Sequence, residues 1–396
     1  MTESETTQNG VFPSQWIEQA IVDRIIDADV DFVPNQIQPN SLDLRLGPRA
    51  YRVTCSFLPG AEGMENKLGR FTWYEVNLRD DGTILERNQV YLIPLRERLT
   101  LPDHISGSAN PKSSTGRLDV FTRVVTENGA AFDEVPAGYR GKLYLEVVPR
   151  SFAIRVRPDD CLAQIRFQTG TTRLTDAETR VFLDTGDVIV SPGLRVMRST
   201  DLRISQGVFL SVYLGQRRDE LIGYRARKNQ PPIDLRGIGK SSSARYWDSI
   251  HHRPGQPVIL EPDEFYIFAS KEQVRLPPSI CAEMVPFDAG SGELRTHYAG
   301  FFDSGFGYTP GEEGYARAAA VVLEIRNRDV PFMIDADQAL FRLVLLRNTE
   351  KPDRLYGASG SNYQFQRLKL GKQFADIEED IEDYNLSLEF DGSRRS

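Results

Sequence analysis

Apolar residues recur in two rhythms along this chain, and the rhythm changes after Ile25. Before that point Trp16, Ile17, Ala20, Ile21 and Ile25 follow helical spacing, and Ser14 stands where a helix cap is expected. Beyond it, short runs such as "QVYLIPL", "GKLYLEVV" and "AIRV" are separated by Pro, Gly and Asp, the pattern of strands joined by turns. Alternation in "GKLYLEVV" puts Leu143, Leu145 and Val147 on one face of a strand and Tyr144, Glu146 and Val148 on the other. The 23 prolines and 31 glycines suit turn-rich β structure better than helical bundles. The expected class is all-β, with one short N-terminal helix.

The strand pattern repeats. "VYLIPLRERLTLPDHI" (90–105) aligns with "FYIFASKEQVRLPPSI" (265–280), and "YLEVVPRSFAIRVRPDDCLAQIRF" (144–167) aligns with "VLEIRNRDVPFMIDADQALFRLVL" (322–345). Tyr91 then falls on Tyr266 and Glu146 on Glu324, with a drift of three residues between the two matches. "LDLRLG" (42–47) has a weaker echo in "LSVYLG" (210–215). Two collinear matches point to a tandem duplication of one β domain. The expected organisation is a disordered N-terminus over 1–13, a first β domain over 14–170 and a connector over 171–206. A second β domain with a closing tail follows over 207–375, then an acidic tail over 376–396.

Composition narrows the partners. The 396 residues suit two domains, and 48 Lys plus Arg against 56 Asp plus Glu give a net charge of -8. That balance excludes a nucleic-acid polymer as the main partner, but it permits a small anion held by a few local cations. Cys55, Cys161 and Cys281 have neither zinc-site nor disulfide-framework spacing. No apolar run is long enough to span a bilayer, and "MTESETTQNG" lacks the basic and apolar regions of a secretion signal, so no membrane and a cytoplasmic location are expected.

Three features carry candidate chemistry. "PKSSTGRLDV" gathers Lys112, Ser113, Ser114 and Arg117 around Gly116, a set of donors that can surround phosphate although it is not a P-loop. As composition alone, the same stretch also reads as an exposed turn. The aligned stretch of the second copy, "FDAGSGELRTH", has Asp288, Gly290 and Glu293 at the cradle positions, and the two acidic groups would repel an anion. Second, each copy carries a glutamate in its most apolar strand, Glu146 and Glu324. A carboxylate among apolar groups tends toward a raised pKa and can serve as a general acid or base, while ion pairs with Arg150 and Arg326 are the structural alternative. Third, "AGFFDSGFGY" (299–308) is a turn suited to close approach by a flat ligand, and "GAAFDEVPAGYRG" (129–141) is its counterpart. There is no zinc-deaminase signature, and the four histidines form no metal cluster in the sequence.

Taken in order, "NSLDLRLG" (40–47), "KSSTGRLDV", "AGFFDSGFG", "VLEIRN" with "LYLEVV", and "SNYQFQRLKLGKQF" resemble the motifs of the dCTP deaminase branch of the dUTPase superfamily, in a longer tandem bacterial form. The resemblance implies tandem dUTPase-like β-clip folds, or distorted jelly-roll barrels. It further implies zinc-independent deamination of dCTP to dUTP and ammonia, supplying dUTP for thymidylate synthesis. Mg2+ carried with the triphosphate and a homotrimer or other homo-oligomer are implied as well. Carried over residue by residue, the catalytic candidates are Glu324 or Glu146 with Arg117, and the phosphate-binding set is Lys112, Ser113, Ser114 and Arg117. Ala299, Phe302, Asp303, Tyr363, Gln364 and Gln366 would hold the nucleotide, and no protein metal site is expected. Lys112 departs from the family's usual Arg, turning a fork into a point charge.

Two arrangements stay open: a site shared between the copies that uses Glu324, or a complete first-copy site that uses Glu146. A dUTP diphosphatase activity releasing pyrophosphate, alone or added to deamination, is a second enzymatic reading, with Asp43 or Asp303 available to position water for attack on phosphorus. A non-catalytic nucleotide-binding scaffold is the third.

Overall fold

The computed structural model describes residues 8–286, 300–311, 317–327, 329–336, 338–358, 361 and 363–375. Asp288, Gly290, Glu293, Ala299 and the acidic tail lie outside the described residues.

The duplication is visible as repeated strand pairing. Strand Arg140–Pro149 runs antiparallel to Val90–Thr100, with Glu146 opposite Leu92. In the second copy Ala319–Arg326 pairs in the same way with Phe265–Val274, with Glu324 opposite Ile267. Cys161–Thr169 lies between Leu42–Arg45 and Ile105–Pro111, just as Ala339–Arg347 lies between Val208–Ser211 and Ile280–Pro286. Alternation works as the period-2 pattern requires: Leu143, Leu145 and Val147 enter one apolar core, and Val321, Leu323 and Ile325 enter the other.

The two copies are joined by an apolar seam. Phe152 of the first copy meets Tyr246, Trp247 and Phe374 of the second at ring-centroid separations of 5.5, 5.4 and 6.3 Å, all edge-on. A second-copy excursion adds Ile233–Asp234 as a parallel strand beside Ile154–Val156 of the first. The closing segment 363–375 returns over the same boundary, where the Gly239 and Ser241 N–H groups donate to the Lys372 and Gln373 carbonyls.

Three local expectations are revised. Residues 10–13 are ordered: Gly10–Val11 pairs with Gln168 and Thr169, and Val11 and Phe12 are buried, because the sheet edge supplies partners that the sequence alone does not reveal. Ser14 is the first helical residue of Ser14–Val22, the cap position belongs to Pro13, and the Ser14 side chain caps nothing. Within the connector, Asp176–Thr185 is a helix closed by a reciprocal Thr175–Glu178 capping box. No helix among the described residues is long and apolar enough to cross a membrane.

Candidate active site

A cavity of about 370 Å³ lies between the two copies. The first copy contributes Lys112, Ser113, Ser114 and Arg117, and the second contributes Phe302, Asp303, Glu324, Tyr363 and Gln366 to the same walls. The structure thus brings together nine of the twelve residues singled out from sequence.

The cradle follows strand Ile105–Pro111. Lys112 is tied to Leu162 by its N–H, and its carbonyl accepts the N–H groups of Thr115 and Gly116, which winds the single helical turn Ser113–Gly116. Lys112 Nζ pairs with Asp43, which does not line the cavity. Burial raises the Asp43 carboxyl, opposed by Lys112.

Arg117 is the central stitch. It is 2 % exposed and its guanidinium lies 3.9 Å over the Tyr363 ring. Nη2 donates to Gln366 Oε1 at 2.7 Å and Nη1 to the Lys369 carbonyl at 3.0 Å. Nε is buried without a hydrogen-bond acceptor among the described residues, 3.9 Å from Glu324 Oε1. That separation is an ion-pair distance rather than a hydrogen bond.

Glu324 projects from its strand beside Val322 into the cavity, while its neighbours Leu323 and Ile325 point into the core. Burial pushes its carboxyl up to about 8, opposed by Arg117 and reinforced by Asp119. The expected Arg326 partner is engaged elsewhere, with Asp119 and with Ser151 Oγ at 3.0 Å. At this position the fold leaves a protonatable group facing open volume.

The turn after Phe301–Phe302 needs glycine. Gly307 has φ +64°, and a Cβ there would sit 2.0 Å from the Val274 carbonyl oxygen. Gln364 clamps this turn, donating to the Gly305 carbonyl at 2.9 Å and accepting the Gly307 N–H at 3.0 Å. Gln364 does not line the cavity, so its contribution is to shape the wall rather than to touch a ligand. Gln366 bonds along strand Ala319–Arg326, exchanging backbone and side-chain hydrogen bonds with Ala320.

Glu146 lies elsewhere and does not line the cavity. It is covered by its own copy: Ser56 hydrogen-bonds it, and Met64, Leu92 and Tyr144 form an apolar cluster on that face of the sheet. Burial raises its carboxyl, opposed by Ser56 and Arg123. Arg123, not Arg150, sits across from it on the neighbouring strand. A complete first-copy site around Glu146 would therefore have to lie away from the cavity that holds Lys112, Ser113, Ser114 and Arg117.

Sequence reasoning missed Lys372 and Tyr356, both in the wall. Burial and the nearby Lys112 lower the Lys372 ammonium. Its position inside the tail stretch "LKLGKQF" was the available signal, but only the fold carries that lysine back beside Lys112.

Both halves of the chain match known families. The profile described as "2'-deoxycytidine 5'-triphosphate deaminase (DCD) N-terminal domain" matches residues 8–171, and that described as "2'-deoxycytidine 5'-triphosphate deaminase (DCD), C-terminal domain" matches 191–374. The "dCTP deaminase, dUMP-forming" of Persephonella marina is 32 % identical over 139 residues, 33 % of this chain and 69 % of that protein. The "dCTP deaminase" of Ignicoccus hospitalis is 29 % identical over 128 residues, 32 % of this chain and 66 % of that protein. These matches span about two thirds of the curated relatives. The crystal structure of 2'-deoxycytidine 5'-triphosphate deaminase from Agrobacterium tumefaciens superposes with a TM-score of 0.80 at 40 % identity, covering 87 % of this chain and all of that one. This chain belongs to the dCTP deaminase family of hydrolytic deaminases, in its two-domain form, with a dUTPase-like β fold.

Proposed function

We propose that the cavity between the two copies binds dCTP and deaminates it, with one site per chain assembled from both halves. The observation that carries this reading is the position of Glu324, a buried carboxyl 3.9 Å from the Arg117 guanidinium, in one cavity with Lys112, Ser113 and Ser114. Lys112 and the two serines take the triphosphate, while Phe302, Asp303, Tyr363 and Gln366 surround the nucleoside.

Near neutral pH the ligand-free Glu324 is largely a neutral acid, because its pKa is raised to about 8. A neutral carboxyl donates a hydrogen bond and can pass its proton to cytosine N3, which makes C4 electrophilic. The resulting carboxylate, held by Arg117, takes a proton from a water adding to C4. The new C4–O bond gives a tetrahedral intermediate. Glu324 then returns that proton to the amino group, the C4–N bond breaks and ammonia leaves. The remaining hydroxyl proton passes to Glu324, which restores the neutral acid and leaves the uracil carbonyl beside N3–H. Arg117 stabilises the carboxylate through each transfer.

Among the described residues no cluster of three His, Cys, Asp or Glu side chains could hold a metal ion. Mg2+ would be carried on the triphosphate oxygens, where it would neutralise phosphate charge. A homotrimer and a cytoplasmic location remain part of the proposal. A second reading, deamination followed by cleavage to dUMP, is favoured by the "dUMP-forming" relatives.

Incubating the protein with dCTP and Mg2+ while measuring ammonia and pyrophosphate tests the assignment. Ammonia alone supports the deaminase reading, and both products support the dUMP-forming one. Neither product, from folded protein that binds dCTP, would sink both and leave a nucleotide-binding scaffold.

A further inference from the structure

Arg166 is among the largest fully buried side chains of the molecule, 1 % exposed, on strand Cys161–Thr169 of the first copy. Among the described residues, the hydrogen bonds, ion pair and ring contact of its guanidinium all cross into the second copy. Nη2 donates to Asp303 Oδ1 at 2.7 Å, Nη1 donates to the Ala282 carbonyl at 2.8 Å, and the plane lies 4.1 Å over the Phe301 ring. Ser41, also of the first copy, donates to the other carboxylate oxygen of Asp303 at 3.3 Å. Asn40 Oδ1 accepts the N–H of Ser304 at 2.8 Å. The turn that carries Asp303 into the cavity is thus held from the opposite half of the chain.

The strand does not need an arginine here. In the aligned repeat, the position of Arg166 is occupied by Val344, which is buried in the equivalent strand. A buried ion pair is often no more stabilising than well-packed apolar residues of similar volume, so folding alone does not account for the guanidinium. Its partner is the aspartate that lines the cavity. Two of the roughly four acceptor directions of that carboxylate are taken by Arg166 and Ser41, which leaves the others for a donor on a ligand.

We infer that Arg166 is a positioning residue: it aims Asp303 into the cavity and sets the affinity for the nucleotide without touching it. This rests on the nucleotide-binding role proposed above for Asp303. The inter-copy seam thereby becomes part of substrate binding, because a first-copy residue orients a second-copy one.

The test is steady-state kinetics and equilibrium dCTP binding for Arg166→Met, Arg166→Lys, Asp303→Asn and the R166M/D303N double variant, with circular dichroism to check the fold. R166M is expected to raise KM roughly 30-fold or more with kcat changed far less, the scale of breaking a buried charge pair. R166K recovers only part of this, since a point charge cannot hold the carboxylate, bond Ala282 and stack on Phe301 together. The double variant is expected to bind no worse than D303N, because the two residues act through one carboxylate. If R166M does not fold, R166K and Ser41→Ala carry the test, and each should raise KM. An unchanged KM in folded variants, or R166M and D303N effects that multiply, overturns the inference. Wild type that binds dCTP and releases no ammonia sinks the deaminase reading instead, and the binding series still decides the role of Arg166.

Discussion

Glu146 and Glu324 occupy the same place in two copies of one strand, yet they face different surroundings. Each stands in an antiparallel pair with apolar neighbours on alternate positions, and burial raises the carboxyl of each. Around Glu146, the groups acting on the carboxyl, Ser56 and Arg123, come from its own copy, and Met64, Leu92 and Tyr144 cluster on that face of the sheet. Around Glu324, the other copy supplies Arg117, the tail supplies Tyr363 and Gln366, and a cavity is left. A perturbed carboxyl and a nearby cation are common to both, Arg123 beside Glu146 and Arg117 beside Glu324, but only Glu324 lines the cavity shared with the Lys112 cradle. Duplication supplied two equivalent scaffolds, and the contacts made across the seam distinguish them.

The most severe way to break this comparison is to neutralise each glutamate. Glu324→Gln should cut ammonia release by about 10³-fold, within the usual range for removing a general acid–base, while dCTP binding survives. Glu146→Gln should leave turnover within a few-fold of wild type; near-complete loss in that variant would return the chemistry to the first copy.

Arg117→Met comes next, with a loss of about 10²-fold in kcat from the missing charge stabilisation. It also sharpens the pH argument. With the neutral acid as the reactive form, kcat/KM should fall as pH rises through about 8, the value set by burial of Glu324. Arg117 holds that value down, so its removal should move the falling limb to higher pH. A wild-type profile that rises between pH 7 and 9 would instead make the carboxylate the reactive species.

A smaller effect is expected at the cradle. Lys112→Met should raise KM for dCTP about tenfold with kcat retained, because the lysine binds charge that is unchanged by the reaction. Equal losses for dCTP and for deoxycytidine would show that Lys112 does not read phosphate.

The smallest effect is on stability, and its sign is informative. Glu324 has a folded pKa raised to about 8 from an unfolded value near 4.5, so the folded chain holds the extra proton between those values. Stability from this group is therefore lost as pH rises through that window. Glu324→Gln should raise the melting temperature by a few degrees at pH 8.5 and by little at pH 5, measured by differential scanning calorimetry. An equal shift at both pH values would mean that Glu324 is not held protonated by the fold.

Much of this organisation is legible in the order of residues alone. Period-2 alternation places Leu143, Leu145 and Val147 inward and Glu146 on the opposite face, because a strand offers only two faces. The collinear repeat places Glu324 in the same register, and the run from Lys112 to Arg117 stands out by composition. Other features are not legible there, for identifiable reasons. Gln364 shares a motif with Gln366, but only the positive-φ turn at Gly305 and Gly307 shows that it clamps backbone. Arg166 reads as one more charge in a strand. Its burial against Asp303 depends on a contact between residues 137 positions apart. Ordering at Gly10–Val11 likewise needs the edge of a distant strand.

By itself, then, the sequence determined the strand periodicity, the duplication and the chemical types available, since all three depend on neighbours along the chain. Tertiary structure alone decided which glutamate meets Arg117, which residues of the two copies share the cavity and which cations converge. Those outcomes depend on how two homologous halves pack together: long-range burial and charge pairing act between positions that local sequence does not connect.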